Sequence, residues 1–162
     1  MVKAPAPPTS AARDASTSGV RGVLEGLRIV IVDDDGDARE LLATVLTQRS
    51  AQVFAADSAA EAFELLTRER PDLLISDIAM PEEDGYTLVG RVRALSVDDG
   101  GRTPAVAVTA YAGRADRKRA LEAGFDDHFA KPIDIDALVA TLLDIRSARD
   151  LRIAQKKPLI SG

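Results

Sequence analysis

Cysteine is absent from the 162 residues, which removes disulfides, zinc–thiolate centres and thiol catalysis together. Aromatic residues make up only 4% of a chain that is 46% hydrophobic, so a core must be built from Ala, Leu, Val and Ile. Excess positive charge is lacking as well: the net charge of −5 argues against a nucleic-acid surface. No apolar run approaches the roughly 18 residues that a membrane span requires. The N-terminus carries Lys3 but no apolar segment behind it, unlike a signal peptide. A cytoplasmic protein without a membrane segment is therefore expected. No Gly-x-Gly-x-x-Gly follows the first apolar run, which excludes a nucleotide-binding dehydrogenase, and no internal repeat is present.

What is there centres on Ile29-Val30-Ile31-Val32-Asp33-Asp34-Asp35. Four consecutive β-branched residues read as a short strand buried on both faces, as inside a parallel sheet. The run then breaks into three carboxylates with no basic residue between them. In an open α/β sheet, ligands sit beyond the carboxyl ends of the strands. Three acids there repel one another unless a cation neutralises them, and a hard divalent metal such as Mg2+ is the usual solution.

The remaining chain falls into short alternating units. Residues 1–23 are rich in Pro, Ala and Ser and are expected to form a disordered leader or linker. A single domain over residues 24–146 follows. Ala38, Leu41, Leu42, Val45 and Leu46 share one helical face, and Gln52–Ala55 is a short strand. Ser58 and Glu61 have capping-box spacing ahead of a second helix. Leu73–Asp77 is a third-strand candidate, and Leu88, Val89, Val92 and Leu95 mark a third helix. Val97–Arg102 reads as a loop and Ala105–Thr109 as a buried strand. A fourth helix is expected from about Arg114 to Glu122, stopped by Gly124, then a strand over Asp127–Ala130. Ile135, Leu138, Val139 and Leu142 mark the last helix, which the tail 147–162 extends by a turn or two. Five strands alternating with five helices predict a doubly wound, flavodoxin-like parallel sheet of order 2-1-3-4-5.

That order brings four strand ends to one edge: Asp33, Asp34 and Asp35 from the first strand, Asp77 from the third, Thr109 from the fourth and Lys131 after the fifth. Taken singly, each has a structural explanation. The acid triplet could start a helix, Asp77 could serve a turn, Thr109 could end a strand, and Lys131 could be a solvated charge. Jointly they are the parts for handling a phosphoryl group: carboxylates for a metal, an Asp nucleophile, a hydroxyl donor and an ammonium.

The motifs Val32-Asp33-Asp34-Asp35, Ile75-Ser76-Asp77-Ile78-Ala79-Met80-Pro81, Asp84-Gly85, Val108-Thr109-Ala110 and Ala130-Lys131-Pro132 resemble those of receiver domains of the two-component response-regulator family. The resemblance spans about Leu27 to Leu143. It implies that Asp77 is the phosphoacceptor, that Asp34 ligates Mg2+ directly and Asp33 mainly through water, and that the backbone carbonyl of Ala79 completes the ligands. It implies further that Thr109 moves onto the phosphoryl group, that Lys131 pairs with it, and that the Lys131-Pro132 bond is cis. The donor would be a histidine kinase or a histidine phosphotransfer protein. Output to a downstream protein would pass through the face of the fourth helix, fifth strand and fifth helix. By the same resemblance the chain is a phosphoacceptor signalling domain rather than a turnover enzyme. It is expected to be a stand-alone regulator, with the receiver end of a hybrid histidine kinase as the alternative.

Three features sit less squarely. His128 occupies the place where the family carries an inward-turning Tyr or Phe, and is expected to be partly exposed with no catalytic part, giving an altered aromatic switch. Tyr111 could shield an acyl phosphate from water or cap an apolar patch. Arg114, Arg117, Lys118 and Arg119 form a basic cluster that reads as a solvated helix face or as a partner or homodimer contact. A different class, the haloacid-dehalogenase-like phosphatases, would use Asp33 as nucleophile and Asp35 as acid. That reading lacks the Gly-Asp-x-x-x-Asp metal motif and leaves Asp77 and Met80-Pro81 unexplained.

Overall fold

The structure, a computed structural model, describes residues 22–110 and 113–156. Five strands form one sheet: β1 (Arg28–Val32), β2 (Gln52–Ala56), β3 (Leu73–Asp77), β4 (Ala105–Thr109) and β5 (Asp127–Ala130). All neighbours are parallel and the order is β2-β1-β3-β4-β5, as expected from the alternation. The helices are α1 (Gly36–Gln48), α2 (Ala59–Glu69), α3 (Gly85–Arg93), α4 (Arg114–Ala123) and α5 (Ile135–Lys156).

The aliphatic runs explain the layering. β3 and β4 are buried along their whole length, because each strand sits inside the sheet with helices on both faces. Alternate side chains then feed two half-cores. Ile29, Ile31, Ile75, Val106 and Val108 pack with Leu46, Leu138 and Leu142 on one face. Val30, Leu74, Ala105 and Ala107 pack with Leu66, Leu88, Val92, Ala120 and Phe125 on the other. Leu24 and Leu27 are buried in the first half-core. The leader expected over 1–23 lies, through residue 21, outside the described residues.

Local signals mostly act as read, with instructive differences. The Ser58 hydroxyl accepts from the Glu61 N–H, but Glu61 accepts in turn from the N–H of Asp57, one residue earlier than a reciprocal box requires. Val97–Asp99, expected as loop, is one turn of 3-10 helix capped by the Ser96 hydroxyl. Gly124 ends α4 at φ 126°, a conformation that suits residues without a Cβ. α5 runs 22 residues. Its far end is fastened to the amino pole: Arg146 donates to the Glu25 carbonyl and Arg149 pairs with Asp72 at 2.7 Å. Among the described residues no helix is long and apolar enough to cross a membrane.

Candidate functional site

Register decides which side chains meet at the carboxyl edge. Val32 pairs with Ser76 and Asp77 with Val108, so Asp33 stands level with Asp77, and Thr109 lies one step beyond. Thr109 pairs with Ala130, and the Lys131 N–H donates to the Thr109 carbonyl at 2.8 Å, which delivers Lys131 to the same rim. The peptide bond Lys131-Pro132 is cis, as the resemblance implied.

The acid triplet divides its labour. Asp35 caps α1, its carboxylate accepting from the N–H groups of Asp37 and Ala38, so the structural explanation holds for this residue alone. Asp33 uses both oxygens: Oδ1 accepts from the Asp35 N–H and Oδ2 from Lys131 Nζ, each at 2.9 Å. Asp33, Asp34 and Asp77 each place a carboxylate oxygen within 4.8 Å of the others. Lys131 Nζ also lies 3.5 Å from Asp77 Oδ2. One ammonium thus serves two of the three carboxylates, Asp33 and Asp77.

The charges answer to that crowding. Burial first, then the Asp33 charge, push the Asp77 carboxyl up to about 6, against the pull of Lys131 and the Ile78 N–H. Burial works against the Lys131 ammonium, but the bond to Asp33 and the charge of Asp77 outweigh it and raise its pKa. A buried carboxyl held far from its ordinary value by burial and a second acid is what active sites are built to do. The excess of negative charge and the all-oxygen donor set fit a hard divalent cation such as Mg2+. Ala79 is exposed in the turn just past Ile78, next to this cluster in sequence. Thr109 is 1% exposed.

Two residues without an assigned role shape the site. A Cβ on Gly85 would stand 2.5 Å from the Asp77 carbonyl oxygen and 2.9 Å from the Ile78 Cα, so only glycine lets the start of α3 close against the end of β3. The Asp84-Gly85 pair was visible in the sequence, but not this purpose. Arg39 donates from α1 to the Asp33 carbonyl at 2.7 Å and fixes the acidic turn to that helix. Its spacing, six residues after Asp33, is compatible with any exposed helix position, so nothing in the sequence distinguished it.

His128 departs from expectation. It is 9% exposed rather than partly open, and its Nε2 is buried with no hydrogen-bond partner among the described residues. The reason is register: His128 pairs with Ala107, whose side chain belongs to the half-core under α3 and α4. Tyr111 lies outside the described residues. The basic cluster on α4 is in part engaged internally: Arg117 pairs with Asp127 at 3.0 Å, and Arg119 stacks on the Tyr86 ring at 4.1 Å. Lys118 reaches Glu122 only at 4.0 Å.

A doubly wound α/β domain with an acidic, lysine-bearing carboxyl edge is the class that fold and site define. The family model for the response regulator receiver domain matches residues 29–143, and the chain belongs to that family. It is 50% identical over 111 residues to an uncharacterized 14.6 kDa protein of Leptolyngbya boryana, covering 68% of this chain and 83% of that one. It is 37% identical over 118 residues to the sensor histidine kinase RcsC of Salmonella typhi. That match takes in 73% of this chain but only 12% of RcsC. Among solved structures, it is similar to the receiver domain of the histidine kinase CKI1 from Arabidopsis thaliana complexed with Mg2+ and BeF3-. The TM-score is 0.69 at 28% identity, covering 80% of this chain and 95% of that chain.

Proposed function

We propose that this receiver domain accepts a phosphoryl group on Asp77 from a phosphohistidine of a histidine kinase or histidine phosphotransfer protein. The observation that carries the reading is the gathering of Asp77, Asp33 and Asp34 within 4.8 Å of one another, with Lys131 3.5 Å from Asp77. An Asp77 carboxylate oxygen attacks phosphorus; the new O–P bond forms as the P–N bond breaks, and the imidazole keeps the electron pair. Lys131 lies where it can pair with a phosphoryl oxygen, and the Thr109 hydroxyl is one strand away to donate a hydrogen bond. Asp34, Asp77 and the Ala79 carbonyl would hold Mg2+ directly, with Asp33 through water. The use of both Asp33 oxygens by Asp35 and Lys131 supports that division. When bound, the ion supplies neutralisation of the phosphoryl charge. The Mg2+ and BeF3- of the CKI1 complex suit the same chemistry.

The acyl phosphate adds negative charge and acceptor oxygens at the β3 end. Thr109 follows it, and the α4 face shifts as a two-state element. We assign output to a protein partner, or a second copy, on the face of α4, β5 and α5, in a cytoplasmic regulator that binds no nucleic acid. It is a phosphoacceptor, not a turnover enzyme. We take it to act as a single-domain regulator. A hybrid-kinase context, as in RcsC, would appear as a much larger species when source-cell lysate is blotted for this domain.

The test is intact-protein mass after incubation with acetyl phosphate and Mg2+. One added phosphoryl group in wild type, lost in Asp77→Asn, supports the reading. Labelling that persists in Asp77→Asn and vanishes in Asp33→Asn would overturn it.

A further inference from the structure

An apolar pocket of about 260 Å³ has Asp33, Asp77 and Lys131 of the carboxyl edge in its lining. From there it runs between α1 and the segment leading into α5, walled by Leu41, Leu42, Val45, Ile133 and Ile135. The mechanism above uses the polar end and leaves the apolar body without a task. Leu41 is 65% exposed although its side chain forms part of this wall, so the pocket opens along α1. Two cations border it, Lys131 and Arg39. With a divalent cation offsetting the carboxylates at the polar end, a site of this shape suits a molecule with an anionic head and an aliphatic body.

We infer that the pocket accommodates the aliphatic chain of a small acyl phosphate, making the domain selective among small-molecule phosphoryl donors for chains longer than acetyl. The inference rests on the phosphoacceptor role proposed above. In the step itself, an Asp77 oxygen bonds to phosphorus while the bond from phosphorus to the acyl oxygen breaks. The leaving carboxylate keeps the electron pair, and no proton moves. Its charge is met by Lys131 and Arg39 while its chain stays against Leu42 and Val45. Each methylene taken from water into such a wall favours the bound state by roughly fourfold.

The test compares labelling rates of the full chain with acetyl, butyryl and hexanoyl phosphate, read as intact mass at equal Mg2+. The expected result is a rate that rises roughly fourfold per methylene until the pocket is full. Leu41→Ser, which removes an exposed wall, and Ala38→Leu, which fills the space from α1, are expected to lower the hexanoyl-to-acetyl ratio within each variant. A second readout needs no transfer: with Mg2+ present, hexylphosphonate is expected to shift the methyl resonances of Leu42, Val45 and Ile133. A flat chain-length profile with normal acetyl labelling overturns this inference alone. No labelling by any of the donors overturns the phosphoacceptor reading with it. A flat profile combined with slower transfer from a phosphohistidine protein in Leu41→Ser gives the pocket to a protein side chain instead.

Discussion

Lys131 Nζ donates to Asp33 Oδ2 at 2.9 Å, joining the end of the last strand to the acidic turn after the first. Lys131 is therefore the main local compensation for a crowd of carboxylates, and its side chain is only 27% exposed. Lys131→Ala should destabilise the metal-free protein by about 1–3 kcal/mol, because removing one partner strands the other charges. Added Mg2+ should recover much of that loss. Urea denaturation in EDTA and in Mg2+ measures both; equal losses in the two conditions would count against a shared electrostatic origin.

Asp77 carries a stability penalty that depends on pH. Its carboxyl holds a proton up to about 6 in the folded chain, whereas an unfolded Asp releases it near 3.8. Between those values the unfolded state binds fewer protons, so this group's contribution falls as pH rises. Asp77→Asn should accordingly match wild type near pH 4 and exceed it by about 2–3 kcal/mol at pH 8 without metal. Chemical denaturation of both proteins across that range gives the answer. A difference that shrinks with rising pH would contradict it.

Gly85 bears on the same carboxylate from the backbone side. A methyl group there would meet Asp77 oxygen at 2.5 Å, and backbone cannot swing away as a side chain can. Gly85→Ala is expected to cost at least about 2 kcal/mol and to slow phosphoryl labelling by shifting the β3 end. Thermal melting together with the mass assay checks both effects. A variant that melts with wild type would mean that the loop yields.

The buried Nε2 of His128 has no partner among the described residues. An apolar ring of similar shape removes that desolvation cost, so His128→Phe should stabilise the fold by about 1 kcal/mol. Differential scanning calorimetry reads it directly. If instead His128 works as a switch, His128→Ala should alter the spectral change on phosphorylation.

The fold could be read from the chain because its signals are local. Ile29–Val32, Leu73–Ile75 and Ala105–Val108 are aliphatic runs that only a sheet covered on both faces can bury, and each stops at a polar residue destined for one edge. Thr109 and Lys131 were identifiable for the same reason. Nothing local could show that Lys131 lies closer to Asp33 than to Asp77, since that distance depends on how two non-neighbouring strands register. His128 escaped because its burial depends on what α3 and α4 cover. Asp35 looked like its two neighbours until the helix it caps was in place.

The ion pair between Arg149 and Asp72 changes what α5 can be mechanically. Asp72 directly precedes β3, and Asp77 closes it; the two are about 17 Å apart along an extended strand. The pair thus ties the tail of α5 to the entrance of β3, at the opposite end of the strand from the phosphoacceptor candidate.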